Sequence, residues 1–224
     1  MIPLRDNTRS RTFPVVVYGI IVVCVGVFIY SLRLDTQAAQ RSFFATYGAV
    51  PASVTAGPWP EAWRGLVTST FMHGSWMHLG GNMLYLWIFG DNVEDAMGHL
   101  RFLAFYLVAG IVAALAHVAA NPASAFPLVG ASGAIAGVLG AYLILYPRAR
   151  ILSLLVLGIF IRLVDLPAIL VLVFWFLLQV LEGIGALRNP DVTTVAWWAH
   201  VGGFVTGAVL VLVFARRRRT AFQF

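Results

Sequence analysis

Apolar residues come along this chain in long unbroken runs separated by short polar or proline-containing breaks. Six runs approach the roughly 18–20 residues that carry a helix across a bilayer. The pattern predicts spans over 14–32, 78–94, 102–119, 129–146, 166–187 and 195–215. A seventh apolar run, Ile151–Val164, is short and flanked by Arg148, Arg150 and Arg162. It predicts an interfacial or re-entrant piece rather than a crossing. Between the first two spans lies a long connection, Arg33 to Trp76, with several prolines and with Trp59, Trp63 and Trp76. Those aromatics suit a segment lying in the membrane interface.

Composition agrees with a polytopic membrane domain. Of 224 residues, 60% are hydrophobic and only 11% charged, far fewer charges than soluble domains carry. The expected organisation is a tail over 1–13, a six-span domain over 14–215 and a basic tail over 216–224. The net charge of +6 comes from arginine alone, as there is no lysine. The arginines cluster beside apolar runs, which points to membrane orientation and not to nucleic acid. Six crossings place both termini on one side. Calling that side cytoplasmic puts eleven of the fifteen arginines there, as the positive-inside rule requires. The lone cysteine, Cys24, sits mid-run and excludes an intrachain disulfide.

Polar residues inside such runs cost energy and mark function. In this topology the spans at 78, 129 and 195 all enter from the outer face. Each carries a polar residue in its first turns: His78 and Asn82, Ser132, and His200. Gly133, Gly137 and Gly140 follow Ser132; Gly203 and Gly207 follow His200. Such small-residue stripes let helices approach at backbone distance, which would bring an imidazole to a hydroxyl. A serine needs a neighbouring base to become a nucleophile, and imidazole suits neutral pH. The start of the Ser132 helix also offers backbone N–H groups to an oxyanion. The bland alternative makes Ser132 a helix cap and His200 a packing residue. No acid clearly orients His200, Asp191 being nearest in sequence, so a dyad is expected. His73 and His78 lack the spacing of a metal site. Glu94, within Gly90-x-x-x-Glu94-x-x-x-Gly98, is expected to accept structural hydrogen bonds.

These motifs resemble those of the rhomboid intramembrane serine proteases. The resemblance runs from Trp63-Arg64 through His78-Leu-Gly-Gly-Asn82, the Gly90/Glu94/Gly98 pattern and Gly-Ala-Ser132-Gly to Ala-His200-Val-Gly-Gly. It implies an all-α, six-transmembrane-helix rhomboid-like bundle with a partly immersed first loop. It further implies Ser132 as nucleophile, His200 as general base and acid, and His78 and Asn82 as oxyanion-hole donors. Trp63 and Arg64 would hold the first loop, and Gly203 and Gly207 would allow close helix packing. The implied partners are the lipid bilayer and single-span transmembrane protein substrates, with no nucleic acid, cofactor or metal. Apart from the resemblance, the short loops point to a multi-pass protein of a bacterial inner membrane.

One departure stands out. Four residues past the nucleophile many relatives carry an aromatic ring against the histidine, where this chain has Ala136; Trp197 or Trp198 is expected to substitute. Two other readings differ in class. A catalytically silent rhomboid-like protein that escorts membrane clients would need neither Ser132 nor His200. A small transporter would place its polar site at mid-membrane and show repeat symmetry.

Overall fold

A computed structural model describes residues 1–57, 60–158, 160–188 and 195–216. Trp59, Asp191 and residues 217–224 of the basic tail lie outside the described residues. Six longer helices fall where the spans are expected: α1 (Val15–Leu32), α5 (Trp76–Met97), α6 (His99–Ala120), α7 (Ser132–Leu145), α8 (Ala168–Arg188) and α9 (Trp197–Phe214). The first connection folds into α2 (Gln37–Tyr47), α3 (Pro51–Ala56), α4 (Glu61–Thr68) and a 3-10 turn at Ser69–Phe71.

Four helices among the described residues are long and apolar enough to cross a membrane: Val15–Leu32, His99–Ala120, Ala168–Leu187 and Trp197–Phe214. The other two differ for physical reasons. α5 has length to spare but carries Asn82, Asp91, Asn92, Glu94 and Asp95. α7 has only 14 residues, about 21 Å at the helical rise. It sits at the centre of the bundle, and every residue from Gly133 to Tyr142 is buried.

The chain is mostly helical but not all-α. The apolar run expected as an interfacial or re-entrant piece is a hairpin, β2 (Arg150–Leu157) and β3 (Phe160–Pro167). β1 (Ile2–Asp6), from the segment expected as a tail, extends it to a three-stranded antiparallel sheet in the order β1-β2-β3. Leu-rich and β-branched runs of strand length on either side of Gly158 explain the hairpin. Leu157 pairs with Phe160 across the turn, and Gly158 takes the φ of +60° that such a turn needs.

The N-terminal segment is tied to the helices. The Tyr142 hydroxyl donates to Asp6, and Asn92 Nδ2 donates to Asp6 Oδ2 at 3.0 Å. Thr12 donates through its N–H and its hydroxyl to Asp95 Oδ1, at 3.1 and 2.8 Å. Glu94 is fully buried. Its oxygens accept the N–H groups of Val16 (3.0 Å) and Val17 (2.8 Å), capping the first turn of α1. His99 Nδ1 lies 2.5 Å from Glu94 Oε1. A single carboxyl thus joins α1, α5 and the start of α6.

Candidate active site

Ser132 is the first residue of α7, and the chain reaches it through two anchors. Ala49 and Leu128 exchange backbone hydrogen bonds of 3.0 and 2.8 Å. Gly130 N–H then donates to Ser69 O at 2.9 Å. Gly130 has a φ of +134°, where a side chain is strained. A Cβ there would also meet the His78 ring at 2.7 Å. The turn therefore sets the N-terminus of α7 against His78.

His200 lies in the first turn of α9, and glycines bring that helix onto α7. A Cβ on Gly203 would overlap the carbonyl oxygen of Gly133, and one on Gly207 that of Gly137. One on Gly140 would overlap the carbonyl of Phe204. Gly133 and Gly137 themselves face α6, where an added Cβ would meet those of Ala113 and Ala109 at 2.7 Å. The glycines of α7 thus serve two neighbours at once.

At the head of this seam Ser132 Oγ lies 2.8 Å from His200 Nε2. On its other side His200 Nδ1 lies 2.7 Å from Gln179 Oε1, contributed by α8. Two indoles flank the imidazole. Trp197 meets it edge-on with ring centroids 6.1 Å apart, and Trp175 of α8 lies at 6.0 Å. Trp198 turns away toward Gly183. Gln179 and Trp175 are absent from the sequence reading. The signal for Gln179 was present: it is a polar residue inside an apolar span, the feature that singled out Ser132.

The remaining residues divide into two groups. His78 and Asn82 are one helical turn apart on α5, with His78 beside Gly130. Asn82 Nδ2 is buried without a hydrogen-bond partner among the described residues, a donor able to meet an incoming oxygen. His73 packs edge-on to His78 with centroids 5.1 Å apart. Burial, with His78 beside it, pushes the His73 imidazole down to about 4. Trp63, on α4, is exposed, while Arg64 and Glu94 make their hydrogen bonds outside this centre. Arg64 Nη2 donates to Thr46 O at 3.1 Å, and its guanidinium stands 5.3 Å from the centroid of the Tyr47 ring. That ties α4 to the end of α2.

A hydroxyl held by an imidazole at a helix N-terminus can carry out acyl transfer. Comparison with known proteins gives the family. The Rhomboid domain model matches residues 60–217. Rhomboid-like protein 11, chloroplastic, of Arabidopsis thaliana is 26% identical over 219 residues, 95% of this chain and 70% of its own length. Rhomboid protease GluP of Bacillus subtilis is 38% identical over 115 residues, 51% of this chain. The chain spans only 21% of GluP. The putative rhomboid protease YdcA of Bacillus subtilis is 31% identical over 137 residues, 61% of this chain and 65% of that protein. With a family model covering more than half its length and helices apolar enough to span a bilayer, this chain belongs to the rhomboid family as an integral membrane protein.

Proposed function

We propose that the protein is an intramembrane serine endopeptidase that cuts transmembrane protein substrates near the outer membrane boundary. The observation that carries this reading is the 2.8 Å contact between Ser132 Oγ and His200 Nε2. In the proposed reaction Nε2 takes the hydroxyl proton as Oγ adds to the scissile carbonyl. The oxyanion is received by N–H groups of the first turn of α7, which lack intrahelical acceptors. Asn82 Nδ2 and His78 are further donors. The imidazolium protonates the leaving amine, the C–N bond breaks, and an acyl ester remains on Ser132. Water then attacks the ester, giving one proton to Nε2 and releasing the new carboxyl as Oγ regains its hydrogen.

The same reading makes α5 and α7 the remaining two of six crossings. α7 is tolerated because neighbouring helices cover it: a helix buried on all sides does not need the length of one facing lipid. α5 has the length, and it buries Asn82, Asn92 and Glu94 on its protein-facing side. Both termini then share the arginine-rich, cytoplasmic side of a bacterial inner membrane. The partners are single-span membrane proteins whose helices unwind into the site, and no metal or cofactor takes part.

The test is cleavage of a reporter transmembrane segment in proteoliposomes by the parent, Ser132→Ala and His200→Ala. Cleavage by the parent alone supports the dyad. Equal cleavage by Ser132→Ala overturns it, and a parent that binds the reporter without cutting it favours a silent escort.

A further inference from the structure

The imidazole of His200 has two nitrogens, and only an unprotonated Nε2 can take a proton from Ser132. The proposed chemistry therefore depends on which tautomer the ring adopts. Four atoms on α8 and α9 decide this. Gln179 is buried, and its Nε2 donates to the backbone carbonyl of Trp175 at 3.3 Å. A carbonyl oxygen only accepts, so the amide nitrogen must face Trp175 and the amide oxygen must face His200. Turning the amide over would set oxygen against oxygen and leave NH₂ pointing at the ring. With Oε1 held 2.7 Å from Nδ1, Nδ1 must be the protonated nitrogen and Nε2 the acceptor.

We infer that Gln179 is the positioning residue of the site, fixing His200 in the Nδ1–H tautomer through an amide oxygen that is itself oriented by the Trp175 carbonyl. This deepens the proteolytic reading and rests on it for its kinetic consequence, though not for the tautomer itself. Gln179 takes the place of the acid that orients histidine in a Ser-His-Asp triad. An amide oxygen does so without introducing a formal charge beside the dyad in a site within the membrane, where a charge is costly. The arrangement also makes α8 part of the site, since it supplies both Gln179 and the flanking Trp175.

The experiment has two arms on the full chain in detergent micelles. In the first, ¹⁵N-histidine spectra of the parent, Gln179→Leu and Gln179→Glu are compared, with His200→Ala identifying the signals. The parent is expected to show His200 protonated at Nδ1, Gln179→Glu to retain that tautomer, and Gln179→Leu to mix the two forms. In the second, cleavage of a transmembrane reporter is measured for the same proteins and Gln179→Met. Gln179→Leu and Gln179→Met should lose about tenfold to a hundredfold in kcat, the worth of one buried hydrogen bond, with KM held within about twofold. Gln179→Glu, which keeps an acceptor at the same reach, should recover most of that loss. Rescue by Met but not by Glu would show that Gln179 only fills space and overturns the inference. An Nε2–H tautomer in the parent also overturns it, even if Gln179→Leu fails to fold. Should the parent cleave nothing, the spectra still decide the tautomer, while the proteolytic reading alone fails.

Discussion

α1 and α7 are both apolar helices, yet they stand at opposite ends of what a membrane helix can be. α1 is apolar all round and buries only Val17, Ile20, Cys24, Phe28 and Ser31, one stripe that faces α5 and α6, while Val22 and Val23 point outward. α7 is shorter, rich in glycine and alanine, and buried from Gly133 to Tyr142. Lipid asks a helix for length and apolar side chains; protein neighbours ask for small ones. The more apolar helix is therefore the outer one, and the proposed chemistry sits at the end of the helix least able to span a bilayer alone.

Substitutions that break this contrast are expected to differ in size accordingly. Ser132→Ala, at the head of the inner helix, should lower reporter cleavage at least about 10³-fold with the unfolding midpoint unchanged, because the nucleophile acts as a unit with its base. Gly207→Val drives a side chain into the carbonyl of Gly137. It should cost about 3 kcal/mol or more, the upper range for overpacking, since a backbone carbonyl cannot swing aside. Thermal unfolding in detergent and loss of cleavage together would report it.

Glu94→Gln replaces an acceptor of the α1 N–H groups by an amide with one donor end, and should cost about 1–3 kcal/mol in the same measurement. Asp6 gives a pH-dependent effect. Burial holds its carboxyl above the usual 3.8, against the opposing hydrogen bonds from Tyr142 and Thr8. An acid raised on folding binds its proton more tightly in the native state, so its contribution falls as pH climbs from 3.8 through the folded value. The unfolding midpoint of the parent should therefore drop relative to Asp6→Asn over that interval. Val22→Ala, on the outward face of α1, should stay within about 0.5 kcal/mol of the parent. A large loss there would mean that α1 is packed as α7 is.

The same contrast governs how far each part can be read from the sequence. α1 was expected over 14–32 and forms at Val15–Leu32, because an uninterrupted apolar run needs no partner to declare itself. α7 was expected to begin at Val129 but starts at Ser132, because Leu128 pairs with Ala49 and Gly130 turns the chain. Those constraints come from distant residues. The glycine stripes and the polar residues at the outer ends of three spans were legible locally, and the structure brings Ser132 and His200 together. Their division of labour was not: Gly133 and Gly137 turn out to face α6 as well as α9.

Gln179 was passed over because its position on α8 gains meaning only from how α8 and α9 cross. The sheet was missed for a different reason. The length of Ile151–Val164 points to an interfacial or re-entrant piece, although Gly158 divides it into two strand-sized pieces. β1, with Pro3, Arg5 and Asp6, has little strand character of its own and forms by pairing along β2.

The most direct measurement of whether His200 makes a nucleophile of Ser132 is mass-spectrometric mapping of the adduct left by a fluorophosphonate on the purified protein. A single phosphonyl group on Ser132 in the parent, absent from His200→Ala, is the predicted result. Phosphonylation at another residue, or equal modification of Ser132 in His200→Ala, would contradict it.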